Sequence, residues 1–256
     1  MQIIIQARMG SNRLPGKMLM PIINKKGALE LMIERVSKVQ IDHQLIIATT
    51  DLQEDNAIEK LCDKLNVNCF RGDSDDVLSR FYNASKYFGK TDIIVRLTGD
   101  CPLHDPTVIE KVIHVFLAKN VDYASNTDPE TYPDGLDVSV IGWNALEKAF
   151  YEAKKISERE HVVPYIINHP EMFSKINVVN EVDTSIHRWT LDEIDDFKLI
   201  KAIYSGLYDK DNIFNMDDIL SYLEQNKDLI KLNQHIKRNE GYYLSLEKES
   251  NDKSTI

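Results

Sequence analysis

Apolar residues in this chain fall into short runs, separated by stretches in which they recur every three or four positions. Residues 3–5 are three consecutive isoleucines, as expected of a strand buried on both faces. Leu29, Met32, Val36 and Val39 follow at helical spacing, residues 45–50 form a second apolar run, and Ala57, Ile58, Leu61, Cys62 and Leu65 make a second helical stripe. A short strand at 67–70, a stripe through Val77, Leu78, Phe81, Tyr82 and Phe88, and a strand at 92–98 continue the alternation. Pro106 then opens a helix faced by Val108, Ile109, Val112, Ile113 and Phe116. Strand and helix alternating in this way predict βαβ units, a mostly parallel sheet and helices on both of its faces. In such sheets ligands bind beyond the carboxyl ends of the strands. The polar, breaker-rich segments 6–17, 71–76 and 99–105 each follow an expected strand, so all three should open on one edge.

After Asp122 the pattern changes. Residues 136–141 alternate like a half-exposed strand, 143–155 and 158–168 look helical with Pro164 as a break, and 173–180 is strand-like. Helices are expected at 197–204 and 216–229, and the polar end from 247 should fray. One domain over 1–245 is expected, with an alternating strand–helix half at 1–122, an insertion at 123–190 that closes over the sheet edge, and a flexible tail at 246–256.

Composition narrows the class. A chain of 256 residues with 43% hydrophobic and 28% charged residues suits one large α/β domain. The net charge of −10, from 31 basic and 41 acidic residues, argues against binding nucleic acid or an anionic membrane. Three cysteines (Cys62, Cys69 and Cys101) without a CxxC spacing point to reduced thiols in a cytoplasmic protein rather than to disulfides or a zinc site. No apolar run approaches 20 residues, so no membrane span is expected.

Against that acidic background the first loop is distinctive. Arg8, Arg13 and Lys17 place three cations within ten residues, and Gly10 and Gly16 allow tight backbone with Pro15 as a stiffener. Successive backbone N–H groups beside such cations form an anion site, and the guanidinium fork matches phosphate oxygens. The Walker pattern fails: five residues separate Gly10 from Gly16, and Met18 stands where Ser or Thr would hold magnesium. No G-x-G-x-x-G follows the first strand, which disfavours a dinucleotide-binding protein. The bland alternative is a solvated basic connection.

Two acidic positions complement the loop. Asp100, after Gly99, should project at the end of a strand; by itself it could equally be a turn or cap residue. Of Asp192, Glu193, Asp195 and Asp196, the last three suit helix capping, and Asp192 lies at the strand end itself. Two carboxylates about 4 Å apart repel by about 4 kcal/mol at an effective dielectric near 20. A divalent cation reverses that sign, and magnesium commonly takes one or two protein carboxylates.

The stretch from Gln6 to Lys17, together with Gly99-Asp100-Cys101-Pro102-Leu103, Pro133-Asp134-Gly135-Leu136-Asp137-Val138 and Ser157-Glu158-Arg159-Glu160-His161, resembles the cytidylyltransferases of the spore-coat polysaccharide biosynthesis protein F type. These are similar to CMP-Kdo synthetase and acylneuraminate cytidylyltransferase. The resemblance covers roughly residues 1–245. It implies a Rossmann-like, GT-A-like nucleotidyltransferase fold: a three-layer α/β/α arrangement with a β-rich insertion. It also implies a Mg²⁺-dependent transfer of CMP from CTP to a sugar-acid or related small acceptor, with release of pyrophosphate, in surface polysaccharide synthesis.

Carried over by motif, Arg13, Lys17 and Asp100 are the expected catalytic residues, and Asp100 and Asp192 the metal ligands. Gln6, Ala7, Arg8, Gly10 and Ser11 would hold the nucleotide, with Gly72, Asp73, Arg80 and Thr98. Asp134, Asp137, Glu158, Arg159 and His161 would face the acceptor. The relatives also imply a homodimer formed through the insertion. A nucleotidyltransferase making a nucleoside-diphosphate sugar or a cytidylylated phosphate or phosphonate is the nearest alternative, and a non-catalytic nucleotide-binding protein is one of another class.

Overall fold

The computed structural model describes residues 1–209 and 212–253. Seven strands form one sheet in the order β3-β2-β1-β4-β6-β5-β7. They are β1 (Gln2–Gln6), β2 (Gln44–Thr50), β3 (Asn68–Gly72), β4 (Ile93–Thr98), β5 (Tyr123–Ser125), β6 (Ser139–Gly142) and β7 (Lys175–Asn177). β1 to β4 are mutually parallel, and β6 runs antiparallel to both of its neighbours. The loops after β1, β3 and β4 therefore share one edge, as the alternation of apolar runs predicts.

Helices cover both faces. Ile3, Ile5, Val95 and Leu97 pack against α1 (Ala28–Val36), α2 (Asn56–Leu65), α4 (Pro106–Lys119), α8 (Ile194–Leu207) and α9 (Met216–Gln225). Ile4, Ile46 and Ile94 point the other way, onto α3 (Val77–Tyr87), α5 (Trp143–Glu152) and α7 (Pro164–Asn168). The three isoleucines of β1 thus serve two cores because side chains alternate across a strand. Caps fix where helices begin: the Asp76 carboxylate accepts from Ser79 N at 2.9 Å, and Asp105 accepts from Thr107 N at 2.8 Å ahead of Pro106.

Several boundaries differ from expectation. The strand expected at 136–141 begins only at Ser139, because Asn126 captures the preceding turn by donating to Leu136 O and accepting from Val138 N, each at 2.8 Å. The helix expected at 158–168 is two: α6 (Ile156–His161), then α7 with Pro164 in its first turn. The one expected at 216–229 breaks at Asn226 between α9 and α10 (Lys227–Ile230). Residues 188–191 make one isolated bridge, Asp134 to Arg188, rather than a regular strand. The insertion is not a separate β layer: its three short strands pair through β6 with β4 and extend the same sheet, and α5 to α7 supply most of its ordered residues.

The end expected to fray is helical. α11 (Glu240–Lys253) is anchored by Ser157 N donating to Glu249 and by Ser245 Oγ donating to Glu160 at 2.8 Å. The final residues of the expected tail, 254–256, lie outside the described residues. Among the described residues, no helix is long and apolar enough to cross a membrane.

Candidate active site

The loop after β1 is built to present donors. Met9 N is fixed by the buried Asp55 carboxylate at 2.6 Å, and Leu14 N by Ser11 Oγ at 3.3 Å. The neighbouring N–H groups of Arg8, Gly10, Ser11, Asn12 and Arg13 donate to no protein acceptor among the described residues. That row of N–H groups, with the exposed Arg8 side chain beside it, is free to donate to an anion. Ala7 lies buried at its root, and the buried Oε1 of Gln6 has no partner.

Lys17 ends the loop in a 3₁₀ turn and is only 6% exposed. Its Nζ lies 2.9 Å from Asp100 Oδ2 and 2.8 Å from Asp192 Oδ1. Burial disfavours the ammonium, yet the two carboxylates outweigh it and hold the lysine pKa above its ordinary value. Burial would also raise Asp100, but Lys17 and the Thr98 hydroxyl pull its pKa down to about 2. Gly99 is required beside it: a Cβ there would stand 2.9 Å from Gln6 O and 3.0 Å from Ala7 Cβ, where the loops after β1 and β4 touch.

Asp192 is held from three sides. Arg13 Nη2 reaches its Oδ1 at 3.1 Å and Arg188 Nη2 its Oδ2 at 2.9 Å. Leu191 N donates to Asp100 O at 2.7 Å, so the two carboxylates are joined through the main chain as well. Asp196 caps α8 by accepting from Asp192 N and Glu193 N, both at 2.9 Å, while Asp195 pairs with Lys198 on the surface. Of the three residues expected to cap, Glu193 and Asp196 do so, whereas Asp195 is taken up by Lys198. Two oxygen-rich side chains converging on one positive charge make a donor set suited to a hard divalent cation. No group of three or more His, Cys, Asp or Glu stands ready for a metal among the described residues.

The β3–α3 loop lies across the same edge. Asp73 Oδ1 accepts from Asp75 N at 2.8 Å and Asp76 N at 2.9 Å, and Arg80 Nη1 folds back onto Asp73 O at 3.0 Å with Gly72 beneath it. Burial and the like charge of Arg8 push the Arg80 guanidinium down to about 10. Arg80 is only 2% exposed, so its charge acts from beneath the loop, on the same side as the exposed Arg8.

The expected acceptor residues are divided. Asp134 pairs with Arg188 at 2.7 Å and Asp137 with Arg238 at 2.5 Å. Burial and the neighbouring Asp137 raise Asp134 to about 7, against the pull of both arginines. Glu158 is turned inward to cap α6, accepting from Lys154 N at 3.1 Å and Lys155 N at 3.2 Å. Arg159 ties α6 to Asp76 and to Phe150 O. His161 meets Ser245 Oγ at 3.0 Å and the Tyr242 ring, and burial lowers its pKa. Asp134 and Asp137 thus border the Asp192 cluster, whereas Glu158 and Arg159 serve as structural ties.

Sequence reasoning missed Arg188, Arg238 and Glu240. Arg188 carried a faint signal, four residues before Asp192. Arg238 and Glu240 lie in a stretch with no apolar period, and Glu240 reaches Arg13 Nη1 at 2.6 Å from the start of α11.

Comparison with known proteins agrees with this geometry. A family model described as cytidylyltransferase matches residues 2–243. The spore coat polysaccharide biosynthesis protein SpsF of Bacillus subtilis is 32% identical over 232 residues, covering 88% of this chain and 94% of that protein. An 8-amino-3,8-dideoxy-manno-octulosonate cytidylyltransferase of Shewanella sp. (strain ANA-3) is 31% identical over 149 residues, 57% of this chain and 54% of that protein. A cytidylyltransferase structure from Leptospira borgpetersenii superposes with a TM-score of 0.84 at 34% identity, covering 89% of this chain and 95% of the other. A match over nearly the whole length, on a chain whose cationic loop meets two carboxylates at the sheet edge, places this protein in the cytidylyltransferase family of nucleotidyltransferases.

Proposed function

We propose that this protein transfers CMP from CTP to a small sugar-acid acceptor, with Mg²⁺ at Asp100 and Asp192 and with release of pyrophosphate, in the synthesis of a surface polysaccharide or glycan. The observation that carries the reading is the placement of both carboxylates within 3 Å of Lys17 Nζ at the mouth of the phosphate loop. The names of the Shewanella and Bacillus relatives support the acceptor class and the setting.

In this reading the free N–H row and Arg8 take the triphosphate, while Arg80 approaches the nucleotide from the β3–α3 loop. Asp100 and Asp192 hold the metal, which when bound supplies positive charge to the α-phosphate. Lys17 then turns from its two carboxylates toward the phosphates and, with Arg13, stabilises the charge that builds on the departing pyrophosphate. An acceptor hydroxyl oxygen attacks the α-phosphorus in line, giving up its proton to Asp137 or His161 as base; one Pα–O bond forms and the bond to pyrophosphate breaks. Such catalysis rests on positioning and preorganised charge.

The pair is a homodimer in this proposal, formed through the 123–190 insertion. Val179, Val182 and Ile186 support it, since they are 52%, 68% and 72% exposed on one segment. Light scattering of the purified protein measures that mass.

The test is to supply each of the four triphosphates with Mg²⁺ and a panel of Kdo-like and nonulosonic acids, sugar phosphates and phosphonates, then to measure pyrophosphate and product mass. CTP-dependent release with a CMP–sugar-acid product is expected. A nucleoside-diphosphate sugar as the product, or no release with any triphosphate, overturns the reading.

A further inference from the structure

The chain has nine arginines, and seven of them are engaged by carboxylates or carbonyl oxygens. Arg8 and Arg96 have no ion pair and no side-chain hydrogen bond among the described residues. Arg8 belongs to the loop after β1. Arg96 does not: it sits in the middle of β4, registered between Ile4 on one side and Ser139 on the other.

Its position is unusual for a cation. The register places Arg96 on the same face as Ile4 and Ile46, one row behind Gln6 and Thr98. It stands where β4 meets β6, the join between the nucleotide-binding half and the insertion. The side chain is half-buried, and its Nε is buried without a partner. Burial draws the guanidinium below its ordinary value, while Tyr123, Asp137 and Asp100 act weakly the other way. The same charge adds to the lowering of His161, after burial. A half-buried cation lacking a paired anion carries part of a desolvation cost, and such costs concentrate where a ligand relieves them.

We infer that Arg96 is the receptor for the acceptor's own negative group, a carboxylate or a phosphoryl-type anion, and thereby sets which acceptors are used. The inference rests on the nucleotidyl-transfer reading above. Its geometry is economical: Asp100 lies four residues along the same strand end, so an anion held at Arg96 leaves the rest of the acceptor facing the α-phosphate. Gln6 Oε1, also without a partner, lies in the next row to receive a donor from the acceptor. Arg96 is a specificity residue in this account; the transfer chemistry stays with the loop and the two aspartates.

The experiment compares wild type with Arg96→Gln and Arg96→Lys. Each is supplied with CTP, Mg²⁺ and matched acceptors: a Kdo-like acid, its methyl ester, and a sugar phosphate. Arg96→Gln is expected to raise the acceptor KM roughly 10- to 100-fold for whichever anionic acceptor wild type uses, the loss of a charge-assisted contact. The CTP KM should stay within about twofold, and Arg96→Lys should recover part of the loss. Wild type should prefer the free acid over its ester, and Arg96→Gln should not. Preference for the acid or for the phosphate identifies the source of the anion. An unchanged acceptor KM in Arg96→Gln, or a rise confined to CTP, overturns the inference and leaves the transfer reading standing. Should wild type release no pyrophosphate with any triphosphate, the transfer reading fails. Binding of the Kdo-like acid, followed by saturation-transfer NMR in wild type and Arg96→Gln, then decides the anion site separately. Equal binding in the two proteins overturns it.

Discussion

Asp100 and Asp192, on segments far apart in the chain, share a single ammonium: Lys17 Nζ stands 2.9 Å from one and 2.8 Å from the other. Neither carboxylate could approach the other so closely without a positive charge between them. Lys17 therefore keeps the pair assembled; in the proposed reaction a divalent cation would take over that role, freeing the lysine for the phosphates.

Removing either carboxylate tests this arrangement. Asp100→Asn is expected to lower pyrophosphate release on the order of 10²–10³-fold. Its melting temperature should stay close to that of wild type, because Asp192 still pairs with Lys17. Lys17→Met should cost as much activity while letting Mn²⁺ bind without nucleotide, read by electron paramagnetic resonance. Wild-type turnover by Asp100→Asn at low magnesium would refute the assignment.

In the proposed reaction Glu240 would compete with the nucleotide for Arg13, which it holds in an ion pair. The contact is 2.6 Å, but the side chains are 35% and 50% exposed, so the pair is worth at most about 1 kcal/mol. Glu240→Gln should lower the KM for CTP by up to about fivefold, with a smaller effect at high salt. A higher KM would show instead that α11 helps to hold the nucleotide.

How far the sequence reveals such a site depends on the range of the signal. The phosphate loop and Asp100 were legible because apolar runs locate the ends of β1 and β4, and the loops there carry their own chemistry. Asp192 was legible from kinship and from its place before a capping cluster. Arg188, Arg238 and Glu240 were not, since each matters through a partner far along the chain and none interrupts a periodic pattern. β5, only three residues long, is held by its neighbours β6 and β7 rather than by any strand-like run of its own.

His104 should make the protein acid-labile. It is fully buried, neither ring nitrogen has a partner, and burial with the nearby Arg35 lowers its pKa to about 3. The unfolded chain takes up a proton near pH 6.5 that the folded chain refuses. This group's share of stability is therefore complete above that pH and is lost as the pH falls toward 3. The slope is about 1.4 kcal/mol per pH unit. His104→Leu should flatten the fall of melting temperature between pH 6.5 and 4.5, and raise it less at pH 8. Parallel curves for the two proteins would show that the imidazole finds a partner in solution.

Gly135 joins the Asp134 turn to the segment carrying Asp192. Its φ is +107°, and a Cβ there would lie 2.6 Å from Trp189 C and 2.7 Å from Thr190 N, both backbone atoms. Gly135→Ala should destabilise the protein by roughly 2–4 kcal/mol, lowering the melting temperature by about 2–4 °C for each kcal/mol. Calorimetry measures this directly. A loss below about 1 kcal/mol would mean that the turn can relax.

The hydrogen bond from Leu191 N to Asp100 O has a consequence for how this molecule could be retargeted. It ties the spacing of the two aspartates to the main chain, apart from the side chains proposed to meet the acceptor. With Arg96 as the proposed acceptor anchor, substitutions around it would then exchange one acceptor for another while the donor machinery stays in register. The molecule resembles a lathe: a headstock clamped once, and a tool rest that can be reset for each new workpiece.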